Sequence, residues 1–172
     1  MAMQKPQQQR GRGGKPREAS EYDQRVVDLA RVTRVTEGGK RMSFRACIVV
    51  GNKKGLVGFA IAKGADVQGA IGKAKRRAEK MVMPVPIKNG TIPHAIAAKF
   101  KAARILLKPA PTGSGVIAGG AVRIVLEMAG IPNVSGKMLG SSNKLNNVQA
   151  TMRALQILQQ SSWKKRIKTK NA

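Results

Sequence analysis

Aromatic residues are scarce: the 172-residue chain holds one Trp, one Tyr and three Phe. The core must therefore be built from Ala, Val, Ile, Leu and Met, and the 42% apolar content is enough to form one. Cysteine occurs once, at Cys47, which excludes an intrachain disulfide framework and suits a reducing compartment. Histidine also occurs once, at His94, so a His/Cys zinc site within the chain is excluded. The longest uncharged run, Pro109 to Val122, is rich in Pro, Gly and Ser and cannot span a bilayer as a helix. Met1–Ser20 is basic but has neither the apolar stretch of a secretory signal nor the amphipathic pattern of a transit peptide, so neither is expected. Acid is the last shortage: 8 Asp and Glu stand against 33 Lys and Arg.

What the chain has is positive charge, +25 formally at pH 7. Lys5, Arg10, Arg12, Lys15 and Arg17 precede the first acid, Glu18, and Lys164, Lys165, Arg166, Lys168 and Lys170 crowd the other end. From Lys80 onward Glu127 is the only acid. Self-repulsion on this scale weakens a compact body unless a polyanion neutralises it, and nucleic acid is the common solution. The length fits one ordinary domain or two small ones.

The pattern divides the chain into a basic arm lacking order (1–20), a first unit (21–86), a second unit (87–160) and a basic tail (161–172). In the first unit, Glu21–Leu29 reads as a helical or extended lead-in, and alternation predicts strands over Arg31–Thr36, Met42–Val50 and Leu56–Ala62. Short turns join them at Gly38-Gly39 and Asn52–Gly55, so the simplest arrangement is an antiparallel three-stranded meander. Asp66 is placed to cap a helix running to about Met83, with Val67, Ile71, Ala74, Ala78, Met81 and Val82 at helical spacing. In the second unit, strands are expected over Thr91–Ala98, Ala103–Lys108 and Val134–Leu139. Helices are expected over Ala121–Ala129, stopped by Gly130, and after a cap at Ser142 or Asn143. The fold class is α+β, in two small units.

Gly113–Gly120 lies between a strand and a helix, where backbone N–H groups can cradle phosphate, but no Lys or Ser/Thr follows it as in a nucleotide-cleaving loop. Close packing or RNA phosphate contact are the better readings. Glu127 is expected to pair with a Lys or Arg, His94 to be structural and Cys47 to be buried, which leaves no catalytic set. No cofactor or metal is expected. Phe44 and Phe59 fall at inward strand positions, so little remains for base stacking. Binding through phosphates and shape is expected, by Lys73, Arg76, Arg77 and Lys80 on the helix and by Lys53 and Lys54 in their turn. Lys40 and Arg41 beside Gly38 and Gly39 complete the set, in a hairpin that either reaches into a groove or is simply exposed.

Arg31-Val32-Thr33-Arg34-Val35 through Gly38-Gly39-Lys40-Arg41-Met42-Ser43-Phe44, Val49-Val50-Gly51 and Val57-Gly58-Phe59 together resemble the bacterial small-subunit ribosomal protein S five family. Asn89-Gly90-Thr91-Ile92-Pro93-His94, Gly113–Gly120 and Gly140-Ser141-Ser142-Asn143 extend the resemblance over about residues 25–158. It implies a first domain related to double-stranded-RNA-binding folds and a second α/β domain with a left-handed βαβ crossover. It also implies a cytoplasmic, ribosomal protein that binds small-subunit rRNA and contacts ribosomal proteins S four and S eight. With S four and S three nearby, such a protein lines the mRNA entry channel, supports mRNA unwinding and tunes decoding accuracy. The loop carried by Gly38, Gly39, Lys40 and Arg41 would face the subunit head, and Gly115 and Arg123 would lie at the S four contact. A free-standing RNA or DNA chaperone is the alternative, with a phosphotransferase using Gly113–Gly120 a distant third.

Overall fold

The computed structural model describes residues 21–170, with side chains through residue 160. The expected basic arm (1–20) and the side chains of the expected basic tail lie outside the described residues. β1 (Asp23–Thr36), β2 (Gly39–Gly51) and β3 (Leu56–Gly64) form the predicted antiparallel meander. A two-residue strand, β4 (Met83–Pro84), pairs with β3 and makes the sheet four-stranded. The lead-in and first predicted strand are one element: β1 runs through both, and a register shift between Val26 and Asp28 absorbs the break in alternation.

Helix α1 (Val67–Lys80) covers one face of this sheet, where Ala74 and Ala78 bury against Ile48, Val50, Ala60 and Ala62, and Ala70 is buried close to Gly64. Two expectations fail here. Asp66 stands at the N-cap but makes no side-chain cap hydrogen bond, and Met81 points outward at 63% exposure. The helix ends at Lys80 because two prolines, Pro84 and Pro86, follow closely, so Met81 falls past the last turn.

The second sheet has the order β5 (Ile96–Phe100), β6 (Ala103–Pro109), β8 (Val134–Met138), β7 (Val116–Ile117). β5, β6 and β8 run antiparallel to their neighbours, whereas β7 is parallel to β8 and connects to it through α2 (Gly120–Ala129). The strand predicted over Thr91–Ala98 begins five residues later, at Ile96, because Pro93 cannot donate to a ladder, and runs to Phe100. α3 (Lys144–Lys170) starts as expected at Asn143, whose Oδ1 accepts the Leu145 N–H at 3.0 Å.

In β2 every residue from Ala46 to Val50 is buried, although alternation alone predicts one buried face. The reason is α2, which lies against β1, β2 and β3 as well as α3 and β7. Val49 and Val57 of the first sheet therefore share one core with Val122, Val125 and Leu126 of α2 and with Leu155 and Leu158 of α3. Cys47 of β2 is buried as well, and burial, reinforced by Asp28, pushes its thiol up to about 11.

The joint is finished by backbone chemistry. The last carbonyls of a helix have no intrahelical partners. Here Met128 and Ala129 accept the N–H groups of Lys53 and Gly55 from the β2–β3 turn, at 3.1 and 2.9 Å. Gly130, at φ 78°, closes α2 as its N–H bonds to the Glu127 carbonyl and that of Ile131 to Leu126. A Cβ at Gly130 would collide with the Lys53 carbonyl. Gly113 has a similar φ of 92° but open space around it. Gly113→Ala should thus cost about 1 kcal/mol from backbone strain alone. Gly130→Ala should cost clearly more, read by denaturant unfolding of the two variants; equal losses would show that the seam is not closely packed.

Candidate nucleic-acid interface

The predicted basic residues fall on three surfaces. On α1, Lys73, Arg76 and Lys80 are exposed and follow helical spacing, on the side opposite the buried alanines. Arg77 lies beside them but folds back, its Nη1 donating to the Ile61 carbonyl at 3.3 Å.

The second surface is the end of the β1–β2 hairpin. Pairing of β2 with β3 stops at Phe44–Gly64, so Val32–Ser43 projects beyond the sheet as a two-stranded ribbon. Five residue pairs at strand rise give it a length of about 17 Å. Its tip is a two-residue turn, Glu37-Gly38, and a Cβ at Gly38 or Gly39 would meet nothing within 4 Å. Arg41 stands directly opposite Arg34, an arrangement that repels in isolation. Arg31 and Lys40 register on the other face. Among the described residues none of these four cations has an acidic partner, although Glu37 sits at the tip. Arg34 was not among the predicted basic residues, because sequence alone does not show where sheet pairing stops, and neither was Arg31 at the ribbon's base.

The third surface is the turn at Lys53 and Lys54, and it is largely structural. The Lys53 ammonium is 2.7 Å from Asp23, whose carboxyl it holds below the ordinary range, and the turn backbone docks on α2. Lys54 remains exposed.

The glycine stretch is likewise engaged within the chain. Asn133, 8% exposed, accepts the N–H groups of Gly113 and Gly115 on its Oδ1 at 3.0 and 3.2 Å and donates through Nδ2 to Gly90. These N–H groups are thus taken up by a side chain that sequence reading did not single out. Gly115 has φ 69° with open space around it, so what the glycine supplies here is conformation. Arg123 donates from Nε to Glu127 at 2.7 Å, and Arg25 of β1 holds the other carboxylate oxygen at 2.7 Å. Glu127 is therefore paired as expected, and its pairing ties α2 to the first sheet. No group of three or more His, Cys, Asp or Glu able to hold a metal occurs among the described residues, and no helix among them is long and apolar enough to cross a membrane.

Comparison with known proteins agrees with this organisation. The profile described as "Ribosomal protein S5, N-terminal domain" matches residues 22–86, and that described as "Ribosomal protein S5, C-terminal domain" matches residues 98–169. The chain belongs to the ribosomal protein S5 family. It is thus a ribosomal-family protein and not an enzyme. "Small ribosomal subunit protein uS5" of Thermotoga neapolitana is 49% identical over 138 residues, covering 80% of this chain and 78% of the relative. "Small ribosomal subunit protein uS5c" of Rhodomonas salina is 47% identical over 137 residues, covering 79% and 82%. That of Thermosynechococcus vestitus, named uS5, is 49% identical over 140 residues, covering 81% and 80%.

The hydrogen bond from Arg123, the largest influence, holds the Glu127 carboxyl below its ordinary value of 4.5 despite opposing desolvation, with Arg25 assisting. A lowered carboxylate contributes stability that is complete above the unfolded pKa and is lost as pH falls through the folded one. Because both arginines are more than half exposed, the effect is discounted to about 1 kcal/mol. Glu127→Gln should therefore be less stable than the native chain by that amount near neutrality, and the gap should close on acidification below pH 4.5. A gap that stays constant with pH would remove the ion triad as its cause.

Proposed function

We propose that the chain is a structural constituent of the small ribosomal subunit, resident on the ribosome in the cytoplasm, where it binds small-subunit rRNA through phosphate contacts. The observation that carries this is the hairpin ribbon, on which Arg34, Lys40 and Arg41 stand clear of the sheet, with Arg31 at its base, none with an acidic partner among the described residues. Lys73, Arg76 and Lys80 add a second row, with Lys54 beside the docked turn. With no exposed aromatic platform among the described residues, contact through the sugar–phosphate backbone fits better than base stacking.

In this reading the ribbon reaches toward the subunit head. Gly115 and Arg123 face ribosomal protein S four, S eight lies alongside, and S three shares the mRNA entry channel. The open space around Gly115 and the exposed Arg123 guanidinium leave that side accessible to a protein neighbour. The chain then supports unwinding of entering mRNA and influences decoding accuracy through the strength of the S four contact. A free-standing nucleic-acid chaperone would have no need of a second unit welded to the first.

The test is sedimentation of a gentle lysate through sucrose at rising salt, comparing the native chain with Lys40→Glu/Arg41→Glu. Co-migration with small subunits near one copy each is expected, with the variant released at lower salt because counterion release makes phosphate binding salt-dependent. Migration at the top of the gradient, or spread across all RNA, would overturn the proposal.

A further inference from the structure

The second sheet buries only one face. Ala103, Ile105 and Leu107 of β6 turn toward the helices, as do Ile96 and Ala98 of β5 and Val134 of β8. The opposite face carries Lys99 of β5, Arg104 and Lys108 of β6, and Lys137 of β8, all exposed. Strand register fixes their arrangement. Lys99 is directly opposite Arg104, and Lys137 is directly opposite Leu106, which lies midway between Arg104 and Lys108. At ordinary strand rise and spacing the array extends about 13 Å along β6 and about 10 Å across it.

None of the four cations has an acidic partner among the described residues. None is near by sequence either: Glu127, the only acid after Lys80, is on α2 beneath the buried face and is already held by Arg25 and Arg123. A face that served only solubility would mix signs. This one places two cations in direct cross-strand opposition, which costs stability unless an anion lies over them. The face also has no aromatic side chain, so it offers no stacking platform; Ala97 and Leu106 fill the spaces between the charges.

We propose that this open face is a second RNA-binding surface, on the other unit from the ribbon and α1, that holds a stretch of sugar–phosphate backbone. The inference rests on the ribosomal RNA-binding reading above and adds a site to it. Lys99, Arg104, Lys108 and Lys137 contact non-bridging phosphate oxygens, and Leu106 sets the depth of approach. Sequence patterning had put the RNA contacts mainly in the first unit, because spacing alone does not show which face of a sheet the helices leave open.

The test uses the full-length chain and a transcript of small-subunit rRNA, with affinity measured against salt. Lys108→Gln/Lys137→Gln should lower the log–log salt slope by about 1.8, since each lost phosphate contact removes about 0.9. Thermal unfolding should be unchanged, because both side chains are exposed. Lys63→Gln/Lys88→Gln removes equal charge elsewhere and should leave the slope nearly intact. An equal fall in that control would make the face part of a diffuse charge and overturn the proposal. So would an unchanged slope in Lys108→Gln/Lys137→Gln, including the case where that variant no longer joins the subunit, which would mark a protein contact. Lys40→Gln/Arg41→Gln separates the two readings: if it lowers the slope while the open-face variant does not, the RNA-binding role stands and only the second surface falls. If neither lowers it, both fall.

Discussion

Helix α2 is the member on which the rest of the structure depends. It packs between the back of the first sheet and the helices and strands of the second unit, and six of its ten residues are buried. Without it, Val49 and Val57 would face water, and the second sheet would lose the cover over β7 and β8. Hydrophobic burial holds it from two sides, and two backbone hydrogen bonds from the β2–β3 turn fix its C-terminal end. The two units that match separate family profiles therefore share one core.

Three of the four acids that form ion pairs among the described residues do so at this same joint. Asp23 holds Lys53 of the docking turn, Glu127 holds Arg25 of β1, and Asp28 lies 3.6 Å from both Arg45 and Lys144, at the start of α3. Each pair is partly solvated and individually weak. Their placement matters more than their strength, because it leaves the ribbon, Lys73, Arg76 and Lys80 of α1 and the open sheet without acidic partners among the described residues. A chain so short of acid can knit its parts together only by leaving its outer surfaces strongly positive.

Local pattern revealed much of this. The three long strands, the basic helix, the Gly130 stop and the Asn143 cap all follow from alternation, helical spacing and terminal residues, which operate over a few positions. Long-range features were not legible. The lead-in could not be joined to β1 because the register shift at Val26–Asp28 breaks its alternation. Lys53 looked like a free cation because its partner Asp23 lies thirty positions earlier, a spacing no local pattern encodes. Asn133 had no signal at all: a single Asn after Pro132 does not announce that it will bind two glycine N–H groups and a carbonyl from the linker. The two-unit plan was legible in the pattern and again in the family resemblance, but residue roles within it depended on packing.

The shared core also constrains how the chain can act. A hinge between the units would have to expose Val49, Val57, Val125 and Leu126, all fully buried now, at about 25 cal/mol for each Å² of apolar surface uncovered. It would also break the turn-to-helix hydrogen bonds and leave α2 carbonyls without partners. Motion between the units is therefore costly, and the first-unit ribbon and the second-unit surfaces keep a fixed separation. A body of this kind influences its surroundings by how firmly each outer surface grips, not by bending. On the proposed protein contact at Gly115 and Arg123, changes there would act by altering that contact, since a ligand or neighbour shifts an equilibrium only by its difference in affinity for the two states. Rigidity at α2 is what allows a surface substitution to be felt as a change in that difference, undiluted by relaxation inside the chain.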